Sequence, residues 1–382
     1  MIVGKRLWIA AVSFLLVSGT ALAQSKVTLY GVLDEGLDFT TNAGGHSAYQ
    51  MVSGDSWGSR WGIKGNEDLG GGLAAIFQLE SGFDLNSGKM SQGGRLFGRQ
   101  AYVGLDSSQW GKLTLGRQYD PALEMWGMNF TAAGGSIGDL AAHPFDNDNA
   151  DYDFRVNNAV KYTTPLYRGL QAEAMYAFSG VAGGFASNRL YGAAVSYATG
   201  PLSTAVAYTK TNNGGTNTGG ALAGDQVFTA ASQQNIDFGL KWTFPNLSNV
   251  SFAYSHTAVD SPVANAYVPD LGSESWNSWK FDNFEINGQY YFRPDLSLTG
   301  SYTFTRSSLN SAADDFHPSW QQVAFMLEYD LSKRTSLYLQ GAYQHVNGKT
   351  GTGMDYANIV YSAAPSSSNH QMEYRVAVLH KF

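Results

Sequence analysis

The feature that most constrains this chain is an alternation of apolar and polar residues with a period of two, repeated along most of its length. In Asn235 to Phe244, Ile236, Phe238, Leu240, Trp242 and Phe244 share one face, while Asp237, Gly239, Lys241 and Thr243 share the other. The same pattern recurs at Phe284 to Arg293, Leu296 to Thr305, Val323 to Leu331 and Tyr374 to Phe382. No 3.6-residue period extends far enough to compete. The chain is therefore built of strands with one apolar and one wet face. Charged residues make up only 14% of it, against about 25% in soluble domains. The 43% hydrophobic and 14% aromatic content exclude a disordered chain, in which aromatics are scarce. Bundled membrane helices would each need about 20 consecutive apolar residues, so a membrane β-barrel is the class that fits.

The one long apolar run is N-terminal, where Lys5 and Arg6 precede Leu7 to Val17 and Ala21-Leu22-Ala23 follows. This reads as a secretory signal peptide over residues 1–23, cleaved after Ala23, with a single barrel domain over 24–382. Formal net charge is -7 for the whole chain, and losing Lys5 and Arg6 makes it more acidic, which excludes a basic nucleic-acid surface. An exported chain with no cysteine is not a disulfide scaffold.

A soluble sandwich shows the same alternation, and the connections separate the two classes. Short ones fall near Glu67 to Gly72, Asp106 to Gly111, Pro165 to Gly169, Thr199 to Leu202, Pro245 to Ser248, Arg293 to Leu296 and Leu331 to Arg334. Longer polar ones, centred near Gly44, Ser87, Ser136, Gly183, Asn217, Asp270, Asp314 and Ser366, take turns with them. The expected fold is all-β: a 16-stranded antiparallel transmembrane barrel, short turns at one end and long loops at the other. Aromatic residues recur at segment ends, such as Phe39, Phe83, Trp242, Tyr290, Tyr291 and Tyr329, where interfacial girdles are expected.

Three stretches resemble the general trimeric porins of Gram-negative outer membranes, particularly their beta-proteobacterial branch. They are Val27 to Val32, Ser59 to Gly70 running into Gln78 to Phe83, and Gly98 to Leu105 followed by Leu113 to Arg117. Terminal Phe382 is similar to the family's signal for the barrel-assembly machinery. The resemblance covers Val27 to Phe382 and implies a homotrimer, no cofactor, a water-filled channel for passive diffusion of small hydrophilic solutes and ions, and a third loop folded inward. It also implies an outer-membrane setting among lipid and lipopolysaccharide.

The connection from Tyr119 to about Tyr152 is long enough to be that loop. It holds Asp120, Glu124, Asp139, Asp146, Asp148 and Asp151 and no lysine or arginine, so an acidic segment is expected in the lumen, with Asp139 nearest its tip. Strand parity turns Arg60 and Lys64 inward if Trp61 and Ile63 face out. It turns Arg99 inward with Tyr102 and Gly104 out, and Arg155 and Lys161 inward with Val160 and Tyr162 out. Outward Gln100 then suits a subunit wall better than lipid. By resemblance, Arg60, Arg99 and Arg155 match the family's arginine ladder, and Glu80 an inward acid near it. The expected basic wall is thus Arg60, Lys64, Arg99 and Arg155, faced by Glu80, Asp120, Glu124 and Asp139. Arg117 shares parity with Leu113 and Leu115 and stays outside this set.

Other chemistry is weakly supported. Gly54-Asp55-Ser56-Trp57-Gly58 fits a nucleophile-elbow pattern, but that chemistry needs a strand-turn-helix context, and the pentapeptide is expected on an alternating strand. The seven histidines lack metal-ligand spacing. A barrel hydrolase of phospholipase type and a receptor or adhesin barrel are the alternatives to a channel.

Overall fold

A period of two becomes a strand because successive side chains leave opposite faces of a pleated backbone. The computed structural model describes residues 26–212, 219–268, 270–272 and 275–382. The expected signal peptide over residues 1–23 and the loop centre near Asn217 lie outside the described residues. The first eight strands are β1 (Lys26–Ala43), β2 in two pieces (His46–Ser53 and Arg60–Gly70), β3 (Leu73–Gly82), β4 (Gln100–Ser107), β5 (Gly111–Gln118), β6 (Val156–Thr163), β7 (Leu170–Ala177) and β8 (Leu190–Thr199). The second eight are β9 (Leu202–Asn212), β10 (Ser232–Thr243), β11 (Asn249–Asp260), β12 (Ser278–Arg293), β13 (Leu296–Asn310), β14 (Ser319–Ser332), β15 (Thr335–Asn347) and β16 (His370–Lys381).

Each strand pairs antiparallel with its neighbours in the chain. β16 then returns to β1, with Lys381 opposite Val32 and Glu373 opposite Thr40. Phe382 and Gly31 complete the seam by exchanging backbone hydrogen bonds of 3.0 Å each way. The result is a closed 16-stranded antiparallel barrel. The seven short turns expected from the sequence fall at the end where Phe382 closes the seam.

The outward face is apolar and bare: Ile236 is 46%, Ile286 55% and Val376 62% exposed. Their inward neighbours Asp237, Glu285 and Arg375 are buried. That inversion of the soluble rule is what a wall between lipid and a polar lumen requires. Apolar clusters inside the barrel form where loops pack against the wall, one around Phe145, Trp279, Phe281 and Trp320 and another around Ile137, Leu140, Ala324 and Met326.

Five local expectations need correction. The connection near Gly44 is a two-residue hairpin: Gly44 and Gly45 take φ of 61° and 96°, the left-handed pair whose twist matches flanking strands. The chain instead leaves the sheet later, between the two pieces of β2, where Gly54 to Ser59 bend inward. The pentapeptide expected on a strand is that excursion. On β4, Val103 and Leu105 face out, whereas Tyr102 points in and donates to Gln78 Oε1 at 3.0 Å. Tyrosine serves either face because its hydroxyl needs a partner, so it misleads a parity argument. Gln100 pairs with inward Glu80 and offers no support for a subunit wall. Among the aromatics expected in girdles, Phe83 lines an interior cavity instead.

At the seam, a Cβ added to Gly31 would stand 2.2 Å from Phe382 Cζ and 2.8 Å from Arg60 O. One added to Gly300 would meet nothing within 4 Å. Gly31→Val is therefore expected to destabilise the folded barrel by about 1–3 kcal/mol, and Gly300→Ala to be near neutral. Urea midpoints of the detergent-refolded proteins check this, and equal midpoints for the two variants would contradict it.

Candidate functional site

The longest described connection runs from β5 to β6 and folds into the barrel as a series of short helical turns, Leu123–Gly127, Met128–Phe130, Ala132–Gly135, Asp139–Ala141 and Pro144–Asp146. A loop inside a barrel must find partners for its backbone, and wall side chains supply them. Trp126 Nε1 donates to Phe238 O at 2.9 Å, Asn287 Nδ2 to Phe130 O at 2.7 Å, and Gln322 Nε2 to Leu140 O at 2.8 Å and Ala142 O at 3.2 Å. Further along, buried His143 lies between Asp148 and Glu285, with Nδ1 2.6 Å and Nε2 2.9 Å from their oxygens. Burial opposes charge on His143, but Asp148 and Glu285 outweigh it and hold the ring well above the usual histidine range. The loop is thus laid along β9 to β15, and a space remains on the β2 to β6 side.

That space is a cavity of about 560 Å³ whose lining includes Arg60, Arg99 and Arg155 together with Asp139, Asp151 and Asp153 of the loop; Arg155 Nη1 donates to Asp153 O at 3.3 Å. Arg99 Nε lies 2.9 Å from Glu80 Oε1 and its Nη2 donates to Tyr119 OH at 2.8 Å. Arg60 sits 4.0 Å from Glu80 and 5.4 Å from the Trp57 ring centre. Arg155 lies 5.6 Å from the Tyr119 ring centre, and its Nε finds no hydrogen-bond partner among the described residues. The Asp153 carboxylate accepts from Tyr267 OH at 2.6 Å and Tyr361 OH at 2.5 Å. Burial first and the carboxylate of Asp151 second push the Asp139 carboxyl well above its ordinary range; burial and Asp153 do the same to Asp151.

The loop tip is pinned to the wall by the β2 excursion. Asp139 N–H donates to Asp55 O at 3.1 Å, and Ser56 Oγ donates to Ser136 O at 3.3 Å. Asp34 holds the excursion in turn, accepting from the N–H groups of Ser56 and Trp57 at 3.0 and 2.9 Å. Asp34 is itself bound by fully buried Arg375, which also meets Asp38 at 2.7 Å. Arg375 escaped notice in the sequence, although its parity opposite Tyr374 and Val376 marks it as inward.

The expected site residues separate into three groups. Arg60, Arg99, Arg155 and Asp139 come together at the cavity. Glu80 points inward but belongs to the basic wall as the partner of Arg99, not to the acidic flank. Asp120 is buried and consumed as a helix cap, accepting from Ala122 and Leu123 N–H at 2.9 and 3.1 Å, with Asn149 on its other oxygen at 3.0 Å. Glu124 pairs with Lys161 at 2.6 Å, and Lys64 lies exposed near Tyr30, 5.3 Å from its ring centre; none of these three lines the cavity. Asp151 and Asp153 do line it.

Comparison with known proteins fits this arrangement. The family model of the Gram-negative porins matches residues 9–349. The chain belongs to the Gram-negative porin family. An outer membrane porin protein of Bordetella pertussis is 32% identical over 387 residues, covering 89% of this chain and 94% of that protein. An anion-selective porin from Comamonas acidovorans superposes with a TM-score of 0.68 at 23% identity, over 94% of this chain and 100% of that one. In-vitro folded OmpT from Vibrio cholerae, in a trimer form, superposes with a TM-score of 0.63 at 16% identity, over 94% and 99%. This porin is an outer-membrane channel for passive diffusion, and its barrel encloses the path.

The buried His143 contact yields a stability test. Because its folded pKa is raised, protonated His143 contributes fully below the unfolded value of about 6.5 and the contribution is lost as pH rises through the folded value. His143→Ala leaves two buried carboxylates facing each other, and is expected to cost roughly 3–5 kcal/mol at acidic to neutral pH, with the gap to the parent narrowing at alkaline pH. Denaturant midpoints across pH check it; a gap that widens with pH would refute the assignment.

Proposed function

We propose that the cavity between the arginine wall and the inward loop is the selectivity constriction of the channel, and that it favours anions. The observation that carries this is the convergence of Arg60, Arg99 and Arg155 on one cavity that Asp139, Asp151 and Asp153 of the loop also line. Guanidinium groups stay charged at any physiological pH. The loop acids crowd one another in a confined space and share protons, so they carry less than their formal charge. Two unit charges about 10 Å apart interact by roughly 0.4 kcal/mol in water and about 1.7 kcal/mol at an effective dielectric of 20. Several such contributions sort ions by sign across a narrow wet gap. The solute moves down its own gradient, and no bond is made or broken. The relative from Comamonas acidovorans is titled anion-selective, which supports the same preference here.

Three further parts of this reading complete it. Residues 1–23 act as a cleaved export signal. Phe382 serves as the assembly signal for the barrel-assembly machinery and is then held in the closing seam. The barrel works as a homotrimer in a membrane containing lipopolysaccharide; the trimer form of the Vibrio cholerae relative supports that assembly.

Replacing Arg60, Arg99 and Arg155 together by glutamine is expected to leave the barrel folded and to move the reversal potential in a salt gradient toward cations, with smaller shifts for single changes. An unmoved reversal potential in the triple variant would remove the wall from the ion path. In the parent, raising pH ionises loop acids such as Asp139 and Asp151, whose carboxyls are held well above the ordinary range. Selectivity is therefore expected to drift toward cations as pH rises. Planar-bilayer recordings at several pH values read this directly, and a drift toward anions would contradict it.

A further inference from the structure

The mouth of the cavity carries an ion cluster that the arginine wall does not explain. Asp225, in the connection from β9 to β10, places one carboxylate oxygen 2.7 Å from Arg95 Nη1 and the other against Arg117 Nη2. The Arg155 backbone N–H reaches that second oxygen at 3.4 Å. The Asp225 side chain is only 4% exposed, yet Asp225 and Gly224 form part of the cavity lining. The neighbouring backbone is stitched down too: Arg95 Nη2 donates to Ala223 O at 2.6 Å, Asn157 N–H to Ala221 O at 2.7 Å and Asn157 Nδ2 to Gly220 O at 3.4 Å. Arg95 belongs to the connection between β3 and β4, and Arg117 lies at the end of β5. One carboxylate therefore joins three separate elements at the entrance.

We propose that Asp225 is a specificity-determining residue of the channel: it cancels guanidinium charge at the pore mouth and straps its own loop across the entrance. Two consequences follow from that position. Electrostatically, two arginines that would extend the basic wall outward are offset by one acid, so the mouth is less positive than its arginines alone would make it. Sterically, Gly224 and Asp225 narrow the cavity because the bridges from Asp225 to Arg95 and Arg117 hold them there. The bulge at Gly116, where the β5 to β6 register shifts, is what releases Arg117 from the parity of Leu113 and Leu115 and lets it reach Asp225. The proposal rests on the reading of the cavity as the ion path, but its test is separate from that of the arginine wall.

The experiment compares Asp225→Ala, Arg95→Gln and the double variant with the parent in planar bilayers, using potassium chloride gradients, after circular dichroism shows the same strand content in all four. Neither residue lies in a spanning strand. Both single variants break the strap, so each is expected to raise single-channel conductance. Their reversal potentials are expected to move in opposite directions, by about a two- to fourfold change in the anion to cation permeability ratio, toward anions for Asp225→Ala and toward cations for Arg95→Gln. The double variant is expected to return to the parental ratio while keeping the raised conductance. Shifts of the same sign in the two single variants would overturn the charge role, and unchanged conductance in both would overturn the strap. A null result for the triple arginine variant, with opposite shifts here, would instead place selection at the mouth and not at the wall.

Discussion

Hydrocarbon offers no water to an unpaired N–H or carbonyl, and everything else in this porin answers to that fact. It forces β16 back onto β1, which in turn makes the last residue part of the wall. Once closed, the sheet has two incompatible surroundings, so each strand must sort its side chains by alternation. Chain direction then places all long connections at the end opposite the seam. The inward loop is a product of the same constraint, since it fills a lumen that the closure created.

The interior is crowded with charge, and many of its charges have a built partner. Arg375 sits with Asp34 and Asp38, Arg99 with Glu80, Lys161 with Glu124, and His143 between Asp148 and Glu285. Unpaired, any of these would be costly in so enclosed a space. Pairing is not universal: in the wall, both carboxylate oxygens of buried Asp237 and one each of Glu173 and Glu373 have no hydrogen-bond partner among the described residues. Arg155 Nε and Asp151 Oδ2 are unpartnered too, and both residues line the cavity, where a passing solute or water is the natural partner.

Strand number and most turn positions were legible because period two and turn residues are local signals, whereas the inward course of the third loop followed from the family resemblance, with only its length and acidity visible locally. Apolar parity read β10, β12, β13, β14 and β16 correctly, since each of these strands has a continuous apolar face. It failed on β4, where Tyr102 is amphipathic, and near Arg117, where the bulge at Gly116 resets the count. The polar stretch at Gly44 looked like a long loop because a two-residue hairpin and a loop share the same residues. Asp120 and Asp139 are indistinguishable in composition; only the fold shows that one caps a helix while the other reaches the cavity. The Asp225 clamp joins residues 130 and 108 positions apart, and nothing in a single sequence links them.

The wall grips the inward loop largely by its carbonyl oxygens: Trp126 reverses the direction and donates outward, while Asn287, Gln322 and Gln340 donate to loop backbone at residues 130, 140, 142 and 137. Backbone oxygens are the same whatever the side chain. A lineage can therefore exchange loop side chains that face the solute, altering which molecules cross, without rewriting the contacts that seat the loop. Docking and permeation are encoded on different atoms of the same segment, which leaves nutrient preference free to diverge on a conserved frame.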